Sequence, residues 1–271
     1  MNSEIKIIAE IGWNHMGDTD LAEKMISKAA SSGADYCKFQ TWKVDSLKSG
    51  PWDNDGRLEI YKKAELTKEK HKKLLEICKK NKINFMTSVF NIKDLEFVAS
   101  LSNEIVKIPS HEVYNIELIK EAQNLFKTVI ISIGACDWSE FLDLHKKVDL
   151  GKEIYFLHCV SSYPLKAENV NMPKLNEILK IHNKIGYSGH LSGIEDAILA
   201  ICNGAKFIEK HFTIDNELPG RDNKFAIKVD EMKKLVQFKN IYSKMILNKG
   251  LDVQECEQDI YKNYRGRWSK N

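Results

Sequence analysis

Charged and hydroxyl side chains recur in this sequence at the ends of short apolar runs, where a protein interior has little use for them. Glu10 closes the first such run; Lys38 and Gln40 stand in DYCKFQ, Thr87 and Ser88 in INFMTSV, and Lys107 leads on to Ser110 and Glu112. Further along come Ser132, His158, Ser188 with His190, and the triplet Glu209, Lys210, His211. Lysines are point charges suited to a phosphate or carboxylate. Two imidazoles, His190 and His211, are nitrogen donors able to share a divalent metal while leaving an open face for substrate. Each group taken singly also has a plainer role: a strand-end lysine snorkels to the surface, His158 hydrogen-bonds in a core, and His15 orders a loop. Alternation shows which groups aim together, since Tyr36, Lys38 and Gln40 share one face of a strand and Glu209 shares a face with His211.

Positioning them calls for a repeated scaffold, and the sequence has one. Eight β-rich runs (5–9, 35–40, 83–89, 104–108, 128–133, 153–159, 184–188 and 206–211) alternate with amphipathic stretches such as DLAEKMISKAASSG and TKEKHKKLLEICKKN. Eight βα units in 271 residues predict an α/β fold, a single-domain (β/α)8 TIM barrel over 1–250, with a basic, aromatic tail over 251–271 and no second domain. In such a barrel the active site lies at the C-terminal ends of the strands, where the polar exceptions fall. A doubly wound open sheet is the alternative, but GWNHMGD is a poor version of the glycine-rich phosphate turn it would carry.

Composition narrows the partners. Net charge is +3, and only four of 41 basic residues are arginine (Arg57, Arg221, Arg265 and Arg267), so no nucleic-acid partner is expected. No long uncharged apolar stretch or basic leader appears, and the six cysteines are widely spaced, which together predict a cytoplasmic protein with no membrane partner.

The motifs IAEIGWNHMGD (8–18), GADYCKFQTWK (33–43), KIPSHE (107–112), LHCVSSYP (157–164), IGYSGH (185–190), IEKHFT (208–213) and PGRD (219–222) resemble the sialic acid synthase family, in order and across all eight strands. The resemblance implies condensation of phosphoenolpyruvate with an aldose, N-acetylmannosamine or a related amino sugar, to give a 3-deoxy-2-keto sugar acid and phosphate. It also implies a divalent metal, Mn2+ or Mg2+, held by His190 and His211, which would polarise the aldehyde. By the same resemblance Lys38, Gln40, Thr87, Lys107, Ser110, Ser132, Ser161, Tyr163 and Ser188 contact substrate. Glu112 is the base for the water that captures the phosphate-bearing carbon, and Glu10, Glu209 and Asp222 orient the metal shell and the sugar hydroxyls.

Family members usually act as homodimers and continue into a small antifreeze-like domain whose arginine covers the partner's active site. Without that domain the acceptor is left exposed, covered by a separate protein, or met by Arg221, which stands where proline is usual; a surface pair of Arg221 with Asp222 or Asp215 is the plainer role. His111 stands where glycine precedes the glutamate and puts a ring beside Glu112. Two other functions stay open: a metal-dependent sugar isomerase or epimerase, which has no need of two phosphate-facing lysines, and a non-catalytic barrel partner.

Overall fold

A computed structural model describes residues 4–268. All eight expected runs are parallel strands, and they close in sequence order into one barrel, β1 bonding to both β2 and β8. The strands are β1 (Lys6–Gly12), β2 (Tyr36–Thr41), β3 (Asn84–Val89), β4 (Ile105–Ile108), β5 (Thr128–Ser132), β6 (Glu153–Cys159), β7 (Ile185–Gly189) and β8 (Phe207–His211). Around them lie α1 (Thr19–Ser31), α2 (Arg57–Ala64), α3 (Lys68–Lys80), α4 (Ile92–Leu101), α5 (Ile116–Leu125), α6 (Trp138–Lys147), α7 (Pro173–Ile181), α8 (Glu195–Cys202) and α9 (Val229–Met245). Closure excludes the open doubly wound sheet.

The helices form for local reasons. In α1 the Asp18 carboxylate caps the amides of Asp20 and Leu21, and Ala22, Met25, Ile26 and Ala29 make a buried stripe at helical spacing. Asn115 caps α5 in the same way through the Leu118 amide, and Leu118, Ile119 and Ala122 are its buried face. These stripes pack on the outward side chains of the strands, among them Ile7, Phe39, Val106, Ile131, Phe156 and Ile208.

A second, smaller core fills the lumen: Ile8, Met86, Ile105, Ile130, Tyr155, Leu157 and Phe207, with Tyr36 against them. Strand β7 contributes Gly186 to this layer, because a Cβ there would lie 2.5 Å from the Phe207 carbonyl oxygen and 2.8 Å from Leu157 Cδ1. We therefore expect Gly186→Ala to cost about 1–3 kcal/mol, the usual penalty of overpacking. A thermal melt at the wild-type midpoint would show that the lumen has room to spare.

Moving two residues along each strand keeps the same facing, so the apolar plug is followed by a layer made of Glu10, Lys38, Ser88, Lys107, Ser132, Cys159, Ser188 and Glu209. Beyond α9 the chain continues through short turns at Glu255–Glu257 and Ile260–Tyr264 with exposed side chains, Arg265 lying 3.8 Å over the Tyr261 ring. The last residues of the expected tail, 269–271, lie outside the described residues. Among those described, no helix is long and apolar enough to cross a membrane.

Candidate active site

Four charged groups from four strands meet above the apolar plug, all buried. Lys38 Nζ lies 2.7 Å from Glu10 Oε2 and 3.5 Å from Glu209 Oε1, and donates to Ser88 Oγ at 2.8 Å. Lys107 Nζ donates to Glu209 Oε2 at 2.7 Å. Gln40 holds the other oxygen of Glu10 at 2.7 Å, and the Ser188 hydroxyl donates to Glu209 Oε1 at 3.1 Å. Burial alone would push the Glu209 carboxyl up, but Lys107 and Lys38 outweigh it and hold the group down to about 2. At Glu10 burial prevails: with the Glu209 charge beside it, it raises the carboxyl above its ordinary value despite Lys38. Burial lowers Lys107, whose single close carboxylate does not compensate, whereas Lys38 ends raised because two carboxylates overcome its burial.

The two lysines are therefore not equivalent. An ammonium has three donors. Those of Lys38 are matched by Glu10, Glu209 and Ser88, while Lys107 is bonded to Glu209 alone among the described residues. Near Lys107 the Ser132 hydroxyl is buried beside the Cys159 thiol with no oxygen or nitrogen partner among the described residues, and Ser110 and Ser161 pair through their hydroxyls at 2.8 Å. Gly134 keeps this corner open, since a Cβ there would run into Cys159 Sγ and lie 2.6 Å from Ser161 Oγ. One cation with donors to spare and a set of hydroxyls make a cradle for a phosphate or carboxylate.

Across the mouth, His190 and His211 face one another with ring centroids 5.5 Å apart. His190 Nδ1 lies 2.7 Å from the Val160 carbonyl oxygen. A carbonyl only accepts, so Nδ1 carries the hydrogen and Nε2 keeps its lone pair. His211 Nδ1 is buried without a hydrogen bond among the described residues, 3.4 Å from Asp222 Oδ2. Burial takes His190 down to about 4 and His211 well below the usual imidazole range, so both rings are neutral, the form that ligates metals. Tyr163 packs 4.1 Å from the His190 ring and Phe225 5.0 Å from the His211 ring. Burial also raises Asp222 to about 7, with Glu10 adding to the rise and the Trp13 indole N–H and Arg221 tempering it.

A buried clasp behind the barrel wall fixes the two histidine strands. Lys210 Nζ bonds both Asp196 oxygens at 3.0 Å and the Leu191 carbonyl at 2.7 Å, and the Tyr187 hydroxyl donates to Asp196 at 3.1 Å. Lys210 adjoins His211 and Leu191 adjoins His190, so one ammonium ties the backbone beside each ring. The motif around Asn14 works similarly: its amide donates to the Phe212 carbonyl at 2.9 Å, and Asn223 donates to the Asn14 carbonyl at 3.2 Å. That network anchors the loop that carries Asp222.

Most expected site residues thus converge, but three do not. Thr87 is corrected: it faces outward, bonded to Thr41 Oγ1 at 2.8 Å in a chain that continues to His71, and its neighbour Ser88 is the residue inside the lumen. The signal was present, because Phe85 and Val89 share the parity of Thr87 and are apolar. Arg221 is half-exposed and pairs with Asp55 at 3.5 Å, neither of its expected partners. Glu112 sits on the turn after β4 with its carboxylate accepting from Asn115 at 3.3 Å, outside the lysine network. Burial raises its carboxyl, and the His111 ring packs on Phe90. His158 bonds the Val170 carbonyl and His15 accepts from the Gly17 amide, the plainer roles expected for both.

A family model described as the NeuB family matches residues 25–249. The chain belongs to the NeuB family. The N,N'-diacetyllegionaminic acid synthase of Legionella pneumophila is 36% identical over 249 residues, covering 85% of this chain and 70% of that protein. The pseudaminic acid synthase of Helicobacter pylori is 34% identical, covering 86% of this chain and 72% of that one. The crystal structure of an N-acetylneuraminic acid synthetase from Leptospira borgpetersenii, in complex with citrate, superposes with a TM-score of 0.87 at 33% identity over 98% of this chain and 94% of that chain. The barrel is therefore that of a NeuB-family enzyme, and the resemblance seen in the motifs holds along the chain.

Proposed function

We propose that this NeuB-family enzyme condenses phosphoenolpyruvate with an N-acylated amino aldose, forming a 3-deoxy-2-keto sugar acid and releasing phosphate. The observation that carries this is the pair of buried lysines of unequal coordination beside a serine hydroxyl with no oxygen or nitrogen partner among the described residues. An isomerase or epimerase acting on a neutral sugar would have no use for that anion cradle. In this reading Lys107, Ser132, Ser110 and Ser161 bind the phosphate and carboxylate, and Glu10, Glu209 and Ser88 hold Lys38 in place. A Mn2+ or Mg2+ ion held by His190 and His211 would supply Lewis acidity toward the sugar aldehyde. Two neutral, buried imidazoles fit such an ion, with Asp222 beside His211 as the carboxylate that often orients a ligating ring.

Both oxygens of Glu10 and of Glu209 are engaged and Asp222 lies against His211, so this reading keeps Glu112, the base that the family resemblance implies, as the carboxylate that takes a proton from water. Its burial-raised affinity for protons suits that task. The family resemblance supports a homodimer. The six cysteines, all free, suit the cytoplasm.

The test is release of inorganic phosphate from phosphoenolpyruvate on addition of N-acetylmannosamine or 2,4-diacetamido-2,4,6-trideoxyhexoses, with formation of the keto acid. Release at the same rate without any sugar, or no release with the whole panel, would overturn the reading.

A further inference from the structure

Directly after β1, β2 and β3, on the catalytic rim of the barrel, the chain places three large aromatic residues, Trp13, Trp42 and Phe90. Together with Tyr61 of α2 they form one continuous wall. Trp13 lies 5.1 Å from Tyr61 and 6.1 Å from Trp42, and Trp42 lies 5.7 Å from Tyr61 and 5.8 Å from Phe90. The wall stands next to the reacting groups. Trp13 follows Gly12, whose Cβ position is 3.0 Å from Glu10 Oε1, and its indole N–H leans on Asp222.

All four rings are only partly buried, although they sit on an enzyme's working face. Moreover, the indole N–H of Trp42 is buried without a hydrogen-bond acceptor among the described residues. A buried donor left unpaired is costly and calls for an explanation. A bare polyhydroxy sugar does not supply one, because its hydroxyls want polar partners and this wall is built of ring faces and edges. An acylamido group does: its methyl is apolar, its amide plane stacks on an aromatic face, and its carbonyl oxygen accepts from an indole N–H.

We propose that the wall of Trp13, Trp42, Tyr61 and Phe90 is the subsite for an N-acyl substituent of the sugar acceptor, and that it sets the preference for acylated over free-amine or hydroxyl sugars. This rests on the synthase function given above. Saturation-transfer NMR tests it directly, with aromatic protons irradiated in the Mg2+-supplied enzyme and 2,4-diacetamido-2,4,6-trideoxyhexose as probe. The acetyl methyl protons should receive more saturation than the sugar ring protons. In Trp42→Ala that excess should disappear, and kcat/KM for the diacetamido sugar should fall about 10- to 100-fold more than for the corresponding 4-hydroxy sugar. The Michaelis constant for phosphoenolpyruvate should stay within about two-fold of wild type, as for a group that touches only the acceptor.

Equal loss on both sugars, or wild-type methyl signals no stronger than those of the ring, would overturn the subsite. If Trp42→Ala does not fold, the wild-type NMR measurement decides alone. Methyl contact without phosphate release from any sugar would overturn the synthase function and leave the subsite standing. Phosphate release without methyl contact would do the reverse.

Discussion

Lys38→Met and Lys107→Met are expected to fail in different ways. Lys107 has donors to spare beside the Ser132 hydroxyl, so its loss should fall on the ligand. A hydrogen bond to a charged group is worth about 1.5–3 kcal/mol, which raises the dissociation constant for phosphoenolpyruvate about 10- to 150-fold. Lys38 is committed to Glu10, Glu209 and Ser88, all buried. Removing it strands Glu10, since Glu209 keeps Lys107, and breaking a buried ion pair from one side costs about 3–5 kcal/mol. Chemical denaturation should show that loss in Lys38→Met, and Lys38→Met/Glu10→Gln should recover part of it by removing one uncompensated charge. Titration calorimetry reads the ligand side. A Lys38→Met protein as stable as wild type would mean the network does not hold charge as described, and an unchanged affinity in Lys107→Met would move the anion cradle elsewhere.

Removal of divalent metal is expected to abolish phosphate release, with recovery on adding Mn2+ or Mg2+. In the proposed reaction the metal would polarise the aldehyde, because Lys38 is tied to carboxylates, the free donors of Lys107 face the anion cradle, and both histidines are neutral. His211→Ala deletes one of two nitrogen donors. Equilibrium dialysis should then show loss of bound Mn2+ from folded protein at concentrations that saturate the wild type, independently of any assay of turnover. Undiminished activity in excess chelator, or full Mn2+ binding by His211→Ala, would dismiss the two-histidine site.

How much of this was legible beforehand follows from the range over which each feature is determined. The strands and helices were readable because the two-residue and 3.6-residue periods, and caps such as Asp18 and Asn115, are set by near neighbours. Eight alternating units also determined the barrel, since right-handed crossovers leave few ways to bury that many parallel strands. Strand ends named most of the chemistry, because a charge that shares the lumen facing of an apolar run reaches the mouth, as Glu10, Lys38, Lys107 and Glu209 do, whereas Lys210 on the other facing lies behind the wall.

Parity with the apolar Phe85 and Val89 already pointed Thr87 outward and Ser88 inward, but only closure of the barrel decided which groups meet in the lumen. It also decided partners far apart in the chain: Lys107 meets Glu209 across 102 positions and Arg221 meets Asp55 across 166. The aromatic wall is a property of the same kind. Trp13, Trp42, Tyr61 and Phe90 are unremarkable in sequence and become one surface only when β1, β2 and β3 lie side by side. Local propensity fixes what each segment is, whereas distances between side chains of different segments are set by packing that no segment contains.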